Sequence, residues 1–179
     1  MNIETERKYL IELSDPTVLA DIEGCRVLAI RQTYLKRHSY APKTERRVRS
    51  IVEGGAEVYV YTEKSPRAYL SRYEDEREIT REEYERLLSE GELWLSKVRY
   101  AFPYMGHVME IDVYPPEIGG TLLEGRAILE VELETADEAI EFPPYLHIVR
   151  EVTDEKAYHN RTLAHRVGRR DAAGMNRHS

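Results

Sequence analysis

Residues 129–134 read Leu129-Glu130-Val131-Glu132-Leu133-Glu134. On an extended strand successive side chains point to opposite faces, so one face here is all aliphatic and the other all carboxylate. The same division recurs along the chain. Ile111 and Val113 stand against Glu110 and Asp112, and Val98 and Tyr100 against Lys97 and Arg99. Glu74, Glu76 and Glu78 share one face of their strand. The ordinary outcome is a sheet with one dry and one solvated face, its exterior crossed by salt bridges. Here, however, acids gather on some strands and bases on others, and the helices carry apolar stripes that need a sheet face to cover. If helices cover the aliphatic face of a closed sheet, the charged face lines the interior. Alternation alone does not distinguish a barrel from an open sheet.

The neighbouring segments supply the sheet. A first strand covers the N-terminal run, and Ser14-Asp15-Pro16 opens a short helix that Gly24 stops. Arg26 to Lys36 reads as a strand and 38–43 as a connection. Gly54-Gly55 between Arg46–Glu53 and Glu57–Lys64 signals a hairpin. That register sets Arg49 opposite Val60 and Arg47 opposite Thr62, so Arg47, Arg49, Thr62 and Lys64 share a face. Ser65 to Tyr69 reads as a polar link and Leu70 to Ile79 as a strand. Thr80-Arg81-Glu82-Glu83 is a capping box for a helix whose stripe is Tyr84, Leu87 and Leu88. A second hairpin turns at Met105-Gly106 and sets Arg99 opposite Asp112 and Ala101 opposite Glu110, with Lys97 on the same face. Ala127 to Thr135 reads as the last strand, and Thr153 or Asp154 caps a helix over 155–167. Strands joined mainly by hairpins make the sheet antiparallel, as a sandwich or a barrel.

With 179 residues the chain suits one domain, 1–167, followed by an aperiodic tail, 168–179. A formal net charge of −7 argues against a nucleic-acid partner, which needs a basic face, but leaves room for a small anion on a local basic cluster. The lone Cys25 excludes an internal disulfide and reads as a buried thiol. No signal-like or membrane-length apolar run occurs, so the expected location is cytoplasmic, with no membrane partner. A homodimer is open. The six histidines lack metal-type spacing, and Trp94 reads as packing.

The charges themselves suggest chemistry. Glu4-Thr5-Glu6-Arg7-Lys8 places Glu4, Glu6 and Lys8 on one strand face, with Thr5 and Arg7 turned outward and expected to tolerate substitution. Carboxylates at i and i+2 lie about 7 Å apart and can converge on one hard cation. Glu4/Glu6 and Glu130/Glu132 are two such pairs, suited to Mg²⁺ or Mn²⁺. Lys8, Arg47, Arg49, Lys64, Lys97 and Arg99 would then meet a polyanion. Acids for metal and bases for phosphate is the division that phosphoryl transfer needs.

Glu4-x-Glu6-x-Lys8 resembles the signature of the CYTH superfamily, the triphosphate tunnel metalloenzymes. Supporting matches run through Gln32-x-Tyr34-Leu35, Arg47-Val48-Arg49, Thr62-Glu63-Lys64, Arg72 with Glu76-x-Glu78-Ile79, and Lys97-Val98-Arg99-Tyr100. They continue through Ile111-Asp112-Val113, residues 129–133, Glu151-Val152-Thr153 and Tyr158-x-Asn160-x-x-Leu163-Ala164. The resemblance implies an α+β fold: a closed or nearly closed, eight-stranded antiparallel β-barrel with helices outside and a C-terminal helix near one mouth. It implies metal ligation by Glu130 and Glu132 with Glu4 and Glu6 in support, and phosphate binding by the six bases. Lys8, Glu76, Glu78 and Asp112 join as candidate catalytic residues, the separate roles of the last three unassigned. The implied activity is metal-dependent hydrolysis of inorganic, nucleoside or thiamine triphosphate with release of orthophosphate. The alternatives are a class IV adenylate cyclase, which releases cyclic AMP and pyrophosphate, and a binding module for polyphosphate or a nucleotide without turnover.

Overall fold

The structure is a computed structural model and describes residues 2–166. The expected tail, 168–179, and the last residue of the expected domain lie outside the described residues. From the N-terminus, β1 (Asn2–Glu12) leads through a 3-10 turn (Pro16–Asp21) to β2 (Arg26–Leu35). The hairpin β3 (Glu45–Glu53)–β4 (Ala56–Ala68) follows, then β5 (Ser71–Ile79) and α1 (Arg81–Leu88). The hairpin β6 (Gly91–Tyr104)–β7 (His107–Val113) comes next, then β8 (Arg126–Glu132) and β9 (His147–Glu151). The chain is helical again over 160–166.

The strands form one antiparallel sheet in the order β5-β4-β3-β2-β6-β7-β8-β1-β9, and β1 also pairs with β5. That last pairing closes eight strands into a barrel, with β9 as an added strand on β1. The closure is short. Asn2 to Thr5 pair with β5, whereas Tyr9 to Glu12 pair with β9. Between them the backbone N–H of Glu6 donates to Leu70 O, and that of Lys8 to Thr153 Oγ1.

Both hairpin registers agree with the sequence. Gly54 and Gly55 turn with φ of +57° and +80°, a region glycine enters without a Cβ clash. Arg49 then pairs with Val60 and Arg47 with Thr62. At the second turn Arg99 pairs with Asp112 and Ala101 with Glu110. Two segments depart from expectation. The polar link at 65–69 continues β4 as far as Ala68, with a bulge between Pro66 and Ala68; a proline is tolerated at such a bulge because no ladder N–H is needed there. His147–Glu151 is a strand and not a connection, and it covers the outer edge of β1.

The dry face of the sheet is outside. Tyr84 and Leu87 of α1, whose Thr80 cap accepts from the Glu83 N–H, pack on Leu35, Val48 and Ile79. Leu88, expected in that stripe, is exposed. Over β6, β7, β8 and β1 the cover is mainly irregular chain: Ile140, Phe142 and Leu146 pack against the Leu129–Val131–Leu133 face. The inner face is charged over only part of its length. Leu10, Tyr34, Leu95 and Ile128 share the lumen side yet cluster with Ile118, Leu123, Tyr158, Leu163 and Ala164. The terminal helix and the β7–β8 connection thereby give the barrel an apolar floor. Burial of each such large side chain is worth about 1.5–3 kcal/mol.

Candidate active site

Because paired residues share a face, the registers that close the barrel also collect its charges. Lys8 lies opposite Glu130 and Glu6 opposite Glu132; Glu130 in turn faces Glu110, and Thr62 faces Glu76. A cavity of about 330 Å³ is lined by Glu6, Lys8, Glu110 and Glu130 among these, whereas Glu76 and Glu132 are exposed and do not line it. All the bases read from the sequence as phosphate-binding, Lys8, Arg47, Arg49, Lys64, Lys97 and Arg99, line this one space.

The bases differ in how far the protein neutralises them. Arg99 is the most enclosed: Nε and Nη2 grip Asp112 at 2.7 and 2.9 Å, Nη1 reaches Glu110 at 2.7 Å, and Nη2 also reaches Glu130 at 3.1 Å. Burial acts to lower its pKa, but Asp112 and Glu110 outweigh it and the group stays fully charged. Lys97 donates to Asp112 at 2.7 Å and to Asn160 Oδ1 at 3.4 Å. Its burial prevails, helped by Arg99, and the ammonium is lowered to about 8 although Asp112 opposes the shift. Lys8 is subject to the same burial, yet Glu130 and then Glu6 hold it above the lysine range. Lys64 contacts Glu4 at 2.7 Å and Glu74 at 3.3 Å.

Arg47 and Arg49 stand apart. Arg49 donates to Glu76 at 3.0 Å, but burial and the neighbouring Arg47 lower it to about 10. Arg47 has no carboxylate within 4.0 Å among the described residues. The Nε of both guanidiniums is buried without an acceptor. A buried donor without a partner costs about 1–3 kcal/mol, and one anion placed between the two would satisfy both.

The acids read from the sequence as site residues divide into four groups. Asp112 is fully buried behind Lys97 and Arg99; burial pushes its carboxyl up, but the two cations outweigh that and hold it below the usual range. It does not line the cavity, so it positions the two bases. Glu76 accepts from both Arg49 and Thr62 Oγ1 and fixes that arginine. Glu78, one step farther along β5, is exposed and does not line the cavity. The remaining acids, Glu4, Glu6, Glu130 and Glu132, are the candidate metal ligands.

All four supply the oxygen donors that a hard cation takes, but only Glu4, Glu6 and Glu130 line the cavity, and Glu132 is exposed. Glu130 is ionised well below its usual range because Lys8, Arg99 and Lys97 outweigh its burial. Its Oε1 lies 3.4 Å from Lys8 Nζ but is not aligned as a hydrogen bond, and it is buried without a donor. Glu132 is raised by burial and then by Glu4, Glu74 and Glu6, a repulsion that a divalent cation would relieve. Among the described residues no three His, Cys, Asp or Glu side chains converge as a metal cage. Glu4 and Glu6 are instead turned to Lys64 and Lys8.

Other lining residues carried no role in the sequence reading. Arg72 is the register partner of Glu4 at the β1–β5 closure. Asn160, at the start of the terminal helix, accepts from both Tyr114 Oη and Lys97 Nζ. His159, read from sequence as a surface or hydrogen-bonding residue, contacts the Thr153 carbonyl through Nε2 at 2.9 Å and lines the cavity. Arg161 lies over the Tyr34 ring. The capping signal at Thr153–Asp154 placed a helix over 155–167, which forms over 160–166, and the motif matches at 158–164 run onto it.

The result is a closed antiparallel barrel whose lumen is lined by cations with acids beside them. No protein-family model matches the chain, and no curated protein does by sequence. Solved structures do match. The inorganic triphosphatase NE1496 is 28% identical over 90% of this chain and 97% of its own, with a TM-score of 0.54. The PH1819 protein from Pyrococcus horikoshii OT3 is 20% identical over 74% of this chain and 78% of its own, with a TM-score of 0.53, and shares the fold. This barrel, this lumen and these structural matches support the resemblance to the CYTH superfamily.

Proposed function

We propose that the protein hydrolyses a triphosphate with the help of a divalent metal and releases orthophosphate. The observation that carries this reading is the pair Arg47 and Arg49, lining the lumen with buried Nε donors that lack an acceptor and opposed by too few carboxylates. The similarity to an inorganic triphosphatase over nearly the whole chain supports it.

Lys8, Lys64, Lys97 and the three arginines bind the phosphates, and their fixed positions neutralise charge as it redistributes in the transition state. Asp112 holds Lys97 and Arg99 in register, and Glu76 does the same for Arg49. Mg²⁺ or Mn²⁺, held by Glu4, Glu6, Glu130 and Glu132, would supply charge neutralisation at the phosphate oxygens and a more acidic water. The deciding experiment incubates the protein with inorganic triphosphate, ATP and thiamine triphosphate with each metal and identifies the products. Orthophosphate release supports the reading. Cyclic AMP with pyrophosphate from ATP would make it a cyclase, and tight binding without product a binding module.

A further inference from the structure

The tunnel opens at one end into a second, larger cavity of about 580 Å³. It lies where the edge of β1 passes from β5 to β9, and its walls are the 65–72 turn on one side and Thr153–Asp154 on the other. The two spaces are continuous, because Glu4, Glu6, Lys8, Lys64 and Arg72 line both.

This vestibule is lined by Arg37, Lys43, Arg67 and Arg72. None of them has a carboxylate within 4.0 Å among the described residues. Elsewhere on the surface Arg7, Arg26, Arg77, Arg81 and Arg150 each hold one at 2.7–3.1 Å. In a chain of net charge −7, four cations without a close carboxylate thus meet where the tunnel opens, in a lining that also holds Glu4, Glu6, Glu45 and Asp154. Such a group concentrates an anion and draws it inward. Among the described residues that line the vestibule, the one aromatic ring is His159, engaged with the Thr153 carbonyl through Nε2. Among the described residues no Phe, Tyr or Trp face is there for a nucleobase to stack on.

From this we infer that the vestibule is a subsite for further phosphates, making the preferred substrate a linear inorganic polyphosphate longer than three units. This rests on the triphosphate reading of the tunnel. The terminal phosphates occupy the tunnel, and the distal ones meet Arg37, Lys43, Arg67 and Arg72.

The test is calorimetric binding of tri-, tetra- and longer linear polyphosphate and of ATP, in EDTA so that no turnover intervenes. Tetrapolyphosphate should bind at least about fivefold more tightly than triphosphate, with the difference shrinking as salt rises. In the exposed double variant Lys43→Gln/Arg67→Gln that ratio should fall toward one, and Lys43→Arg/Arg67→Lys should restore it. Equal affinity for all chain lengths, or a ratio that survives the double variant, would overturn the inference and leave the triphosphatase reading standing. Tighter binding of ATP than of tetrapolyphosphate would also overturn it, in favour of a nucleotide. Triphosphate that neither binds nor is hydrolysed would sink both readings.

Discussion

Asp112 holds Arg99 by both carboxylate oxygens, Oδ1 to Nε at 2.7 Å and Oδ2 to Nη2 at 2.9 Å, in a fully buried pair that also takes the Lys97 ammonium. One anion thus fixes the direction of two tunnel cations without touching the tunnel itself. In Asp112→Asn the cations stay buried with half their compensation gone. Stability should drop by about 3 kcal/mol in denaturant titrations. Triphosphate KM should rise as Lys97 and Arg99 lose their common anchor. A fully stable variant with unchanged KM would show that the pair is ornamental.

Lys97 gives the tunnel a pH limit. Its ammonium faces Asp112 and Arg99 directly, Glu130 at longer range, Asn160 at 3.4 Å and the Tyr114 ring at 5.9 Å. With burial lowering it to about 8, it is charged below that pH and loses its charge above it. The kcat/KM for triphosphate should therefore decline above about pH 8, and Lys97→Arg should move that limb upward because a guanidinium stays charged. The linkage to folding has its own sign. Between about 8 and the ordinary 10.5 the unfolded chain carries the extra proton, so this group's contribution to stability rises with pH through that window.

Asn160 couples the terminal helix to the same lysine. Tyr114 Oη donates to Asn160 Oδ1, which also accepts from Lys97. In Tyr114→Phe the ring still packs, and the lost hydrogen bond should cost about 1 kcal/mol. Asn160→Ala should do more, leaving the tyrosine hydroxyl unpartnered and Lys97 held by Asp112 alone. Its signature is a raised triphosphate KM and a shifted alkaline limb, with the thermal midpoint lowered only modestly. A lowered midpoint with unaltered kinetics would assign Asn160 to packing alone.

Metal removal tests the acids as a set. Activity should vanish in EDTA and return with Mg²⁺ or Mn²⁺. Glu132→Gln removes one member of the mutually repelling group of Glu4, Glu6, Glu74 and Glu132. It should raise the metal concentration needed for half-maximal activity roughly tenfold while leaving metal-free triphosphate binding as strong or stronger. Unchanged metal dependence would remove Glu132 from the ligand set.

Much of this architecture was legible from local pattern. Two-residue turns with glycine fix a hairpin register, and the register then decides which charges meet, as with Arg47 and Thr62 or Arg99 and Asp112. Depth was not legible. Asp112 and Glu78 look alike on alternating strands, yet one is fully buried and the other exposed. Position along the barrel axis depends on strand tilt and on which end the chain plugs. The apolar floor under Leu10 and Ile128 depends on a helix more than a hundred residues away in sequence. β9 was missed for a related reason: five residues carry little periodicity, and the strand gains its place only by pairing with β1.

The outward residues of the first strand carry the final prediction, because the structure corrects their expected tolerance. Thr5 is buried, and its Oγ1 meets Ser71 Oγ at 2.7 Å. Arg7 bridges Glu151 of β9 at 2.7 Å and the carbonyl of Ala136. Both are covered because the turn into β5, β9 and the chain after β8 wrap the outer side of β1. Thr5 also sits at the last pair of the β1–β5 closure, where the strand has few other contacts to hold it. Thr5→Val keeps the shape but leaves the Ser71 hydroxyl buried without a partner, at a cost of about 1–3 kcal/mol. Amide hydrogen exchange should then accelerate first in Asn2–Thr5 and Ser71–Glu74, while the β3–β4 hairpin keeps its protection. Exchange that rises uniformly across the barrel would mean that the closure has no weak point at Thr5.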